Sequence, residues 1–323
     1  MKYSHLGRSG LQVSRLCLGT MNFGSFTSDA DSFSIMDETL NVGINFIDTA
    51  NVYGNEKGVG YTESLIGRWL AQGGGRREKI VLATKVYSKM GSGVNDQKLS
   101  AYHIKKACEE SLRRLQTDHI DLYQMHHIDR STPWEEIWQA MDQLRTEGKI
   151  IYVGSSNFAA WNIVEANYTA KEKNILGLVS EQSIYSLMNR HIELEVIPAC
   201  KAQGVGIIPW SPLGGGLLGG MLKNKFVGRM RRGELETKMN TMMSQLKAYE
   251  ALCDDIGESP ANVALAWMLS NEVIVAPIIG PRTIEQLREL CRSVEITLSN
   301  DVMKKLDEIW PGPGNQAPEA YAW

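Results

Sequence analysis

This sequence predicts a closed (β/α)8 barrel of the TIM-barrel class of α/β folds, with an N-terminal β-hairpin cap and a long loop after its seventh strand. Three observations predict it. Eight apolar runs of β-type residues recur along the 323 residues. Segments with apolar residues at helical spacing separate them. Nearly every run ends in a residue able to do chemistry or hold a ligand. Buried parallel strands read as continuous apolar runs, alternating strand and helix gives a parallel sheet, and such barrels keep their chemistry at the C-terminal ends of the strands. The length suits one large barrel, so 1–323 is read as a single domain.

The elements follow in order. Residues 2–14 form a hairpin turning over Gly7 to Gly10, placed to plug the N-terminal mouth of the barrel. The first strand, Leu16 to Thr20, leads to a helix near 30–42, and the second, Asn45 to Asp48, leads to a Gly-rich loop and a helix over Glu63 to Leu70. The third strand is Ile80 to Lys85. The helix after it, Ser100 to Leu115, puts Ile104, Ala107, Cys108, Ser111, Leu112 and Leu115 on one face. The fourth strand is Ile120 to His126; Thr132 is expected to cap the next helix, with Pro133 in its first turn, Arg145 near its end and Gly148 as its stop. Strands Ile151 to Asn157 and Leu178 to Gln182 precede helices near 159–172 and 193–203. After the seventh strand, Ile207 to Ser211, the segment from Gly214 to about Glu258 reads as a long loop, and loops of that length are usually functional or disordered. Ser259-Pro260 then opens a helix over Ala261 to Leu269, Val273 to Gly280 is the eighth strand, and a helix near 283–292 follows. The tail, Pro311 to Trp323, ends Tyr-Ala-Trp and is expected to pack on the body, with substrate contact and disorder as the alternatives.

Composition narrows the partners. A net charge of −3 gives no electrostatic reason to expect nucleic acid or an anionic membrane. Arg76-Arg77 and the arginines at 229, 231 and 232 read as solvated faces or phosphate contacts. No run approaches the ~18 apolar residues of a membrane span, and Met1 to His5 has no signal core. The five cysteines are scattered without metal or redox spacing, so reduced thiols in a cytoplasmic protein are expected. Gly214-Gly215-Gly216 with Gly219-Gly220 superficially resembles a dinucleotide fingerprint, but the spacing and the position in the chain are wrong for one.

Asp48, Lys85 and His126 end three successive strands, and Tyr53 lies in the loop after the first of these. Aligned strands bring the four to one mouth. A phenol is a weak acid at neutral pH, but a nearby ammonium favours the phenolate. A carboxylate beside that ammonium holds it and balances its charge, and a histidine can orient a substrate oxygen. The set suits donating a proton to an oxygen that becomes negative, as in carbonyl reduction by hydride. Each residue also has a structural reading: Asp48 as a loop cap, Tyr53 as packing. Lys85 is harder to dismiss, because burying a lysine without purpose is costly. Alternation alone does not choose between His126 and His127.

At these residues the chain resembles the aldo-keto reductase superfamily. Gly43 to Gly54 resembles its signature, Leu82-Ala83-Thr84-Lys85-Val86 its lysine strand, and Tyr123-Gln124-Met125-His126 its histidine strand; Gly154 to Phe158 and Trp210 to Leu213 resemble its cofactor motifs. The likeness covers essentially the whole chain. It implies Tyr53 as general acid tuned by Lys85 and Asp48, and it selects His126 to orient the carbonyl. It implies NADPH as cofactor: Ser156, Asn157 and Gln182 on the carboxamide, Trp210 stacked on the nicotinamide, with Thr20, Met21 and Asp48 nearby. Ser211, Pro212, Leu213, Gly214 and Gly216 are implied at the pyrophosphate. Gly280, Arg282, Gln286 and Glu289 are implied at the adenosine end, where the helix from Thr283 offers N–H groups to a phosphate and Arg282 a charged fork. Two departures stand out: Leu290 where many relatives carry asparagine, and Met221 where relatives of the channel-subunit type tend to carry lysine, a charge that Arg229, Arg231 or Arg232 could supply instead.

The motifs resemble the branch containing potassium-channel β-subunits, and the runs Arg68 to Glu78 and His126 to Arg130 resemble proteins assigned as NDP-hexose 2,3-enoyl reductases. Three readings follow: reduction of small aldehydes or ketones, reduction of an NDP-deoxysugar intermediate, and a non-catalytic NADPH-sensing subunit. The partner implied by the first is a small-molecule carbonyl substrate. Its pocket walls are expected from Met21-Asn22-Phe23, Tyr53, Tyr87, the 214–240 loop and the tail. The sequence leaves oligomeric state open.

Overall fold

The computed structural model describes residues 1–223 and 232–322. A two-stranded antiparallel hairpin, β1 (Tyr3–His5) and β2 (Gln12–Ser14), precedes eight parallel strands. These are β3 (Cys17–Gly19), β4 (Phe46–Asp48), β5 (Val81–Val86), β6 (Ile120–Met125), β7 (Ile150–Ser156), β8 (Leu178–Gln182), β9 (Gly206–Ile207) and β10 (Ile278–Ile279). They pair in the order β10-β3-β4-β5-β6-β7-β8-β9. The seam between β9 and β10 is joined by hydrogen bonds from Ile207 N to Val273 O (2.9 Å), Val275 N to Ile207 O (2.8 Å) and Ile278 N to Pro209 O (2.8 Å). The eighth run was expected to be strand from Val273 to Gly280; only Ile278–Ile279 is regular. Pro209 and Pro277 lie along this seam, and a proline has no N–H to give to a ladder.

Helices α1 (Asp29–Asn41), α2 (Tyr61–Leu70), α3 (Ala101–Leu115), α4 (Trp134–Thr146), α5 (Ala160–Glu172) and α6 (Val196–Gln203) connect the strands up to β9. Then come α7 (Arg232–Ile256), α8 (Pro260–Leu269), α9 (Ile284–Cys291), α10 (Asn300–Ile309) and a short α11 (Glu319–Ala322). Five of the starts are written in the sequence: Ser28, Ser100, Ser259, Thr283 and Ser299 each cap a helix by accepting a backbone N–H with the side-chain oxygen. The Thr132 expectation fails. Thr132 Oγ1 instead donates to Asp129 (2.8 Å), and Pro133, extended at φ −67° and ψ 147°, occupies the cap position itself.

The segment expected to be a long loop contains a 25-residue helix, α7. Leu246, Tyr249, Leu252 and Cys253 bury its inner face, and Met239, Met242 and Ile256 extend that stripe at intervals of three and four. The tail packs on the body, Ala317 N donating to Leu194 O (3.0 Å), whereas Tyr321 is exposed. Trp323 and the arginines at 229 and 231 lie outside the described residues, as does the side chain of Arg232.

Two apolar layers result. The larger lies between the sheet and the helices, and the smaller fills the barrel from below with Phe46, Val81, Ala83, Leu122, Val179 and Ile208, plugged by Leu6 and Val13 of the hairpin. The plug fits closely. A Cβ on Gly7, at φ +55°, would meet Val179 O at 2.3 Å, so only glycine turns there. Arg76 pairs with Asp37 and Arg77 with Asp121, so both are structural pairs between neighbouring elements. Among the described residues no helix is long and apolar enough to cross a membrane, and no cluster of side chains is suited to hold a metal.

Candidate active site

Side chains alternate across a strand. Phe46 therefore faces the barrel interior and so does Asp48; Val81 and Ala83 face it and so does Lys85. The apolar members fill the bottom and the ionic ones arrive at the top. Lys85, wholly buried, donates from Nζ to Asp48 Oδ2 (2.5 Å), to Thr49 O (2.8 Å) and to Tyr53 OH (3.3 Å). The second oxygen of Asp48 accepts from Gln124 Nε2 and Gln182 Nε2, both at 2.9 Å. Both oxygens of the carboxylate thus have donors, as a buried charge requires. Burial alone would lower the pKa of Lys85. The charges of Asp48 and Tyr53 outweigh it, and the pKa rises above the ordinary lysine value.

His126 sits one residue beyond β6, its ring edge-on to Tyr53 with centroids 6.0 Å apart. Burial, then repulsion from Lys85 and His127, pushes its pKa down to about 2, so the ring is neutral at any ordinary pH. Its Nδ1 is buried without a hydrogen-bond partner among the described residues. His127 is exposed and stacks on His126 at 5.2 Å, nearly parallel, with Tyr87 edge-on behind it. Both histidines line the same cavity, of about 270 Å³.

That cavity is also lined by Asp48, Tyr53, Ser156, Asn157 and Gln182, and by Thr20, Met21, Trp210, Ser211 and Gly280. Lys85 lies behind it, covered by Asp48 and Tyr53. A second cavity of about 460 Å³ shares Asn22, Ser211, Ile278 and Gly280 with the first, so the two form one groove. Pro212, Leu213, Gly216, Arg282, Gln286 and Glu289 line the second part. Gly214 is the exception among the expected groove residues: a Cβ on it would point at Met188 Sδ (2.7 Å), and it lines neither cavity. Gly215, Gly219, Gly220 and the start of α8, Ser259 to Ala261, line the groove instead. Met221 and Leu290, the two departures from the resemblance, both line it. Phe23 is wholly buried in the core and is no pocket wall, and Tyr87 reaches the cavity only through His127.

Asn157 is more committed than the sequence suggests. It adopts φ +60°, and its Nδ2 donates to His126 O (3.2 Å) and Ser156 Oγ (2.8 Å) while its Oδ1 accepts from Trp210 Nε1 (3.0 Å). It ties together three of the residues around the cavity, and only one lone pair of Oδ1 remains for a ligand. Gln182 likewise gives its Nε2 to Asp48 and Gln124, keeping its carbonyl oxygen as an acceptor.

A groove of this kind suits an elongated ligand carrying an amide at one end and phosphate at the other. The deep part supplies acceptors and hydroxyls. The outer part is walled by backbone, with Gly215 and Gly216 at positive φ, and by the start of α9, where Thr283 caps the helix and Arg282 lies over the Phe26 ring at 5.0 Å. The donor set fits a nicotinamide dinucleotide.

Comparison with known proteins gives one family. The model described as "Aldo/keto reductase family" matches residues 15–311. The chain is 54% identical over 329 aligned residues to the uncharacterized oxidoreductase YrpG of Bacillus subtilis, covering all of both chains. It is 32% identical to a probable voltage-gated potassium channel subunit beta of Arabidopsis thaliana, over 99% of this chain and all of the relative. It is also 32% identical to the norsolorinic acid reductase stcV of Emericella nidulans, over 94% of this chain and 80% of the relative.

Proposed function

The chain belongs to the aldo/keto reductase family, and from that premise we propose that it is an NADPH-dependent oxidoreductase reducing a small aldehyde or ketone to the alcohol, with Tyr53 as general acid. The observation that carries this reading is the reach of Lys85 Nζ to both Asp48 and Tyr53 beneath one cavity. NADPH, when bound, supplies the hydride. Ser156, the free lone pair of Asn157 and the carbonyl oxygen of Gln182 would hold its carboxamide, Trp210 would stack on the ring, and Arg282 would pair with the 2′-phosphate.

The chain's own residues do the rest. A carbonyl oxygen entering the cavity meets Tyr53 OH and the neutral ring of His126. With Nδ1 of His126 buried, Nε2 is the nitrogen left to hydrogen-bond and orient that oxygen. As negative charge gathers on it, Tyr53 gives up its proton. The ammonium of Lys85 stabilises the phenolate left behind, and Asp48 keeps that ammonium charged and in place. The described thiols are all free, which supports our proposal of a reducing, cytoplasmic compartment.

The test is NADPH oxidation across a carbonyl panel that includes a small dicarbonyl, an aromatic aldehyde and a nucleotide-linked keto sugar, with wild type against Tyr53→Phe. We expect turnover to fall by about 10²- to 10⁴-fold while NADPH binding persists; a variant as active as wild type would remove Tyr53 from the acid role. A second reading, a cofactor-carrying subunit of a larger assembly, draws on the name of the Arabidopsis thaliana relative. Tight NADPH binding with no turnover on any substrate would favour it.

A further inference from the structure

Glu181 is a buried acid that the proposed chemistry does not use. It lies on β8 beside Gln182, fully buried, with no ion-pair partner among the described residues. Its position follows from an irregularity in the sheet. Val153 pairs with Leu178, but Gly154 pairs with Ser180, so Val179 is an extra residue. Such a bulge shifts the alternation by one. Val179 faces the barrel core, and Ser180 does so too, its Oγ lying 2.4 Å from where a Cβ on Gly154 would stand. Gln182 then enters the barrel to reach Asp48, and Glu181 is turned outward behind the sheet.

There its carboxylate gathers two donors from one turn and a third from Ser183, two residues further along its own chain. Oε2 accepts from Ser155 Oγ (2.5 Å); Oε1 accepts from Phe158 N (3.2 Å) and Ser183 Oγ (2.7 Å). The turn between Ser155 and Phe158 carries Ser156 and Asn157 into the cavity, with Asn157 in the left-handed region at φ +60°. Asparagine adopts that region more readily than other non-glycine residues, so the turn is fixed by its hydrogen bonds rather than by strain. The backbone holds one side of the turn, Asn157 N donating to Gln182 O (3.0 Å), and Glu181 grips both ends of it from behind.

We propose that Glu181 is a positioning residue: through Ser155 and Phe158 it fixes the turn that aims Ser156 and Asn157, and with Asn157 the indole of Trp210, at the cavity. The consequence for a cofactor rests on the NADPH reading; the grip on the turn does not.

The experiment uses the full chain with Glu181→Leu and Glu181→Gln. Amide hydrogen exchange over 153–160 is read without any ligand. Binding of NADPH and of 2′,5′-ADP, which lacks the nicotinamide half, is read separately. We expect E181L to speed exchange at 155–158 by about tenfold, the loss expected of one or two hydrogen bonds. It should weaken NADPH by a similar factor and leave 2′,5′-ADP unchanged. E181Q keeps an acceptor for Phe158 N and should return all three toward wild type. Unchanged exchange in E181L overturns the proposal, and so does an equal loss of NADPH and 2′,5′-ADP, which would mark a general loss of fold. Should E181L fail to fold, the double variant Ser155→Ala, Ser183→Ala strips two donors from the carboxylate and is read the same way. If wild type itself fails to bind NADPH, the cofactor reading falls, and the exchange data still decide whether Glu181 holds the turn.

Discussion

Replacing Lys85 by methionine separates the two tasks assigned to this side chain. Methionine is close to lysine in length and removes only the charge and the donors. With Nζ 3.3 Å from Tyr53 OH, a full charge on the phenolate is worth about 5 kcal/mol at an effective dielectric of about 20. If about half that charge has formed in the transition state, the loss is about 2.5 kcal/mol, or roughly 10²-fold in kcat. The stability cost comes from the other partner. Asp48 Oδ2 loses its donor while Oδ1 keeps Gln124 and Gln182. Breaking a buried pair costs about 3–5 kcal/mol, and the two remaining donors place this case near the lower end. Adding Asp48→Asn removes the stranded charge, so D48N/K85M should recover about 2 kcal/mol or more over K85M while staying equally slow. Urea unfolding and kcat at saturating NADPH measure the two effects. K85M turning over within fivefold of wild type would refute the role of the ammonium in stabilising the phenolate. A double variant no more stable than K85M would refute the electrostatic account of the pair.

Two further predictions concern charge and pH. The unfolded chain binds a proton at His126 near pH 6.5, while the folded protein resists it down to about 2. The folded pKa is the lower one, so this stability is present above pH 6.5 and lost as the pH falls below it, by up to about 1.4 kcal/mol per unit. His126→Asn should therefore flatten the fall in unfolding free energy between pH 6 and 4 by about one proton, and an identical slope in the two proteins would contradict a neutral buried ring. Arg282→Ala should raise the Kd for NADPH by about 10- to 100-fold, the size of a lost charge-assisted contact, and leave NADH nearly unchanged; equal weakening of both would take Arg282 off the 2′-phosphate.

What the sequence revealed and what it hid have physical reasons. Asp48, Lys85 and Gln182 were legible because a polar residue closing an apolar run is conspicuous, and a barrel gathers strand ends at one mouth. The choice between His126 and His127 was not, since two adjacent histidines fit either phase of the alternation. In the structure both line the cavity, and only His126 presents its ring edge-on to Tyr53. Helix α7 was hidden in what reads as one long connection, although Met239, Met242, Leu246, Tyr249, Cys253 and Ile256 carry the helical interval. The interrupted eighth strand was foreshadowed by Pro277, and the failed Thr132 cap by the competing acceptor Asp129 three residues before it.

Glu181 shows why reading alternation stops short of assigning roles. Counted by twos from Val179, which faces the barrel core, Glu181 should enter the barrel and Gln182 should leave it. That arrangement would set a second carboxylate beside Asp48 and take away one of Asp48's two amide donors. Two carboxylates at one site hold a proton between them, and Lys85 would then have to balance both. The single extra residue at Val179 averts this by exchanging the two side chains. Nothing local in Leu178 to Gln182 announces a bulge. The signal is one of consistency between strands, since Asp48 needs donors and Ser155 and Phe158 need an acceptor. Only the register in which Gln182 points in and Glu181 points out satisfies both.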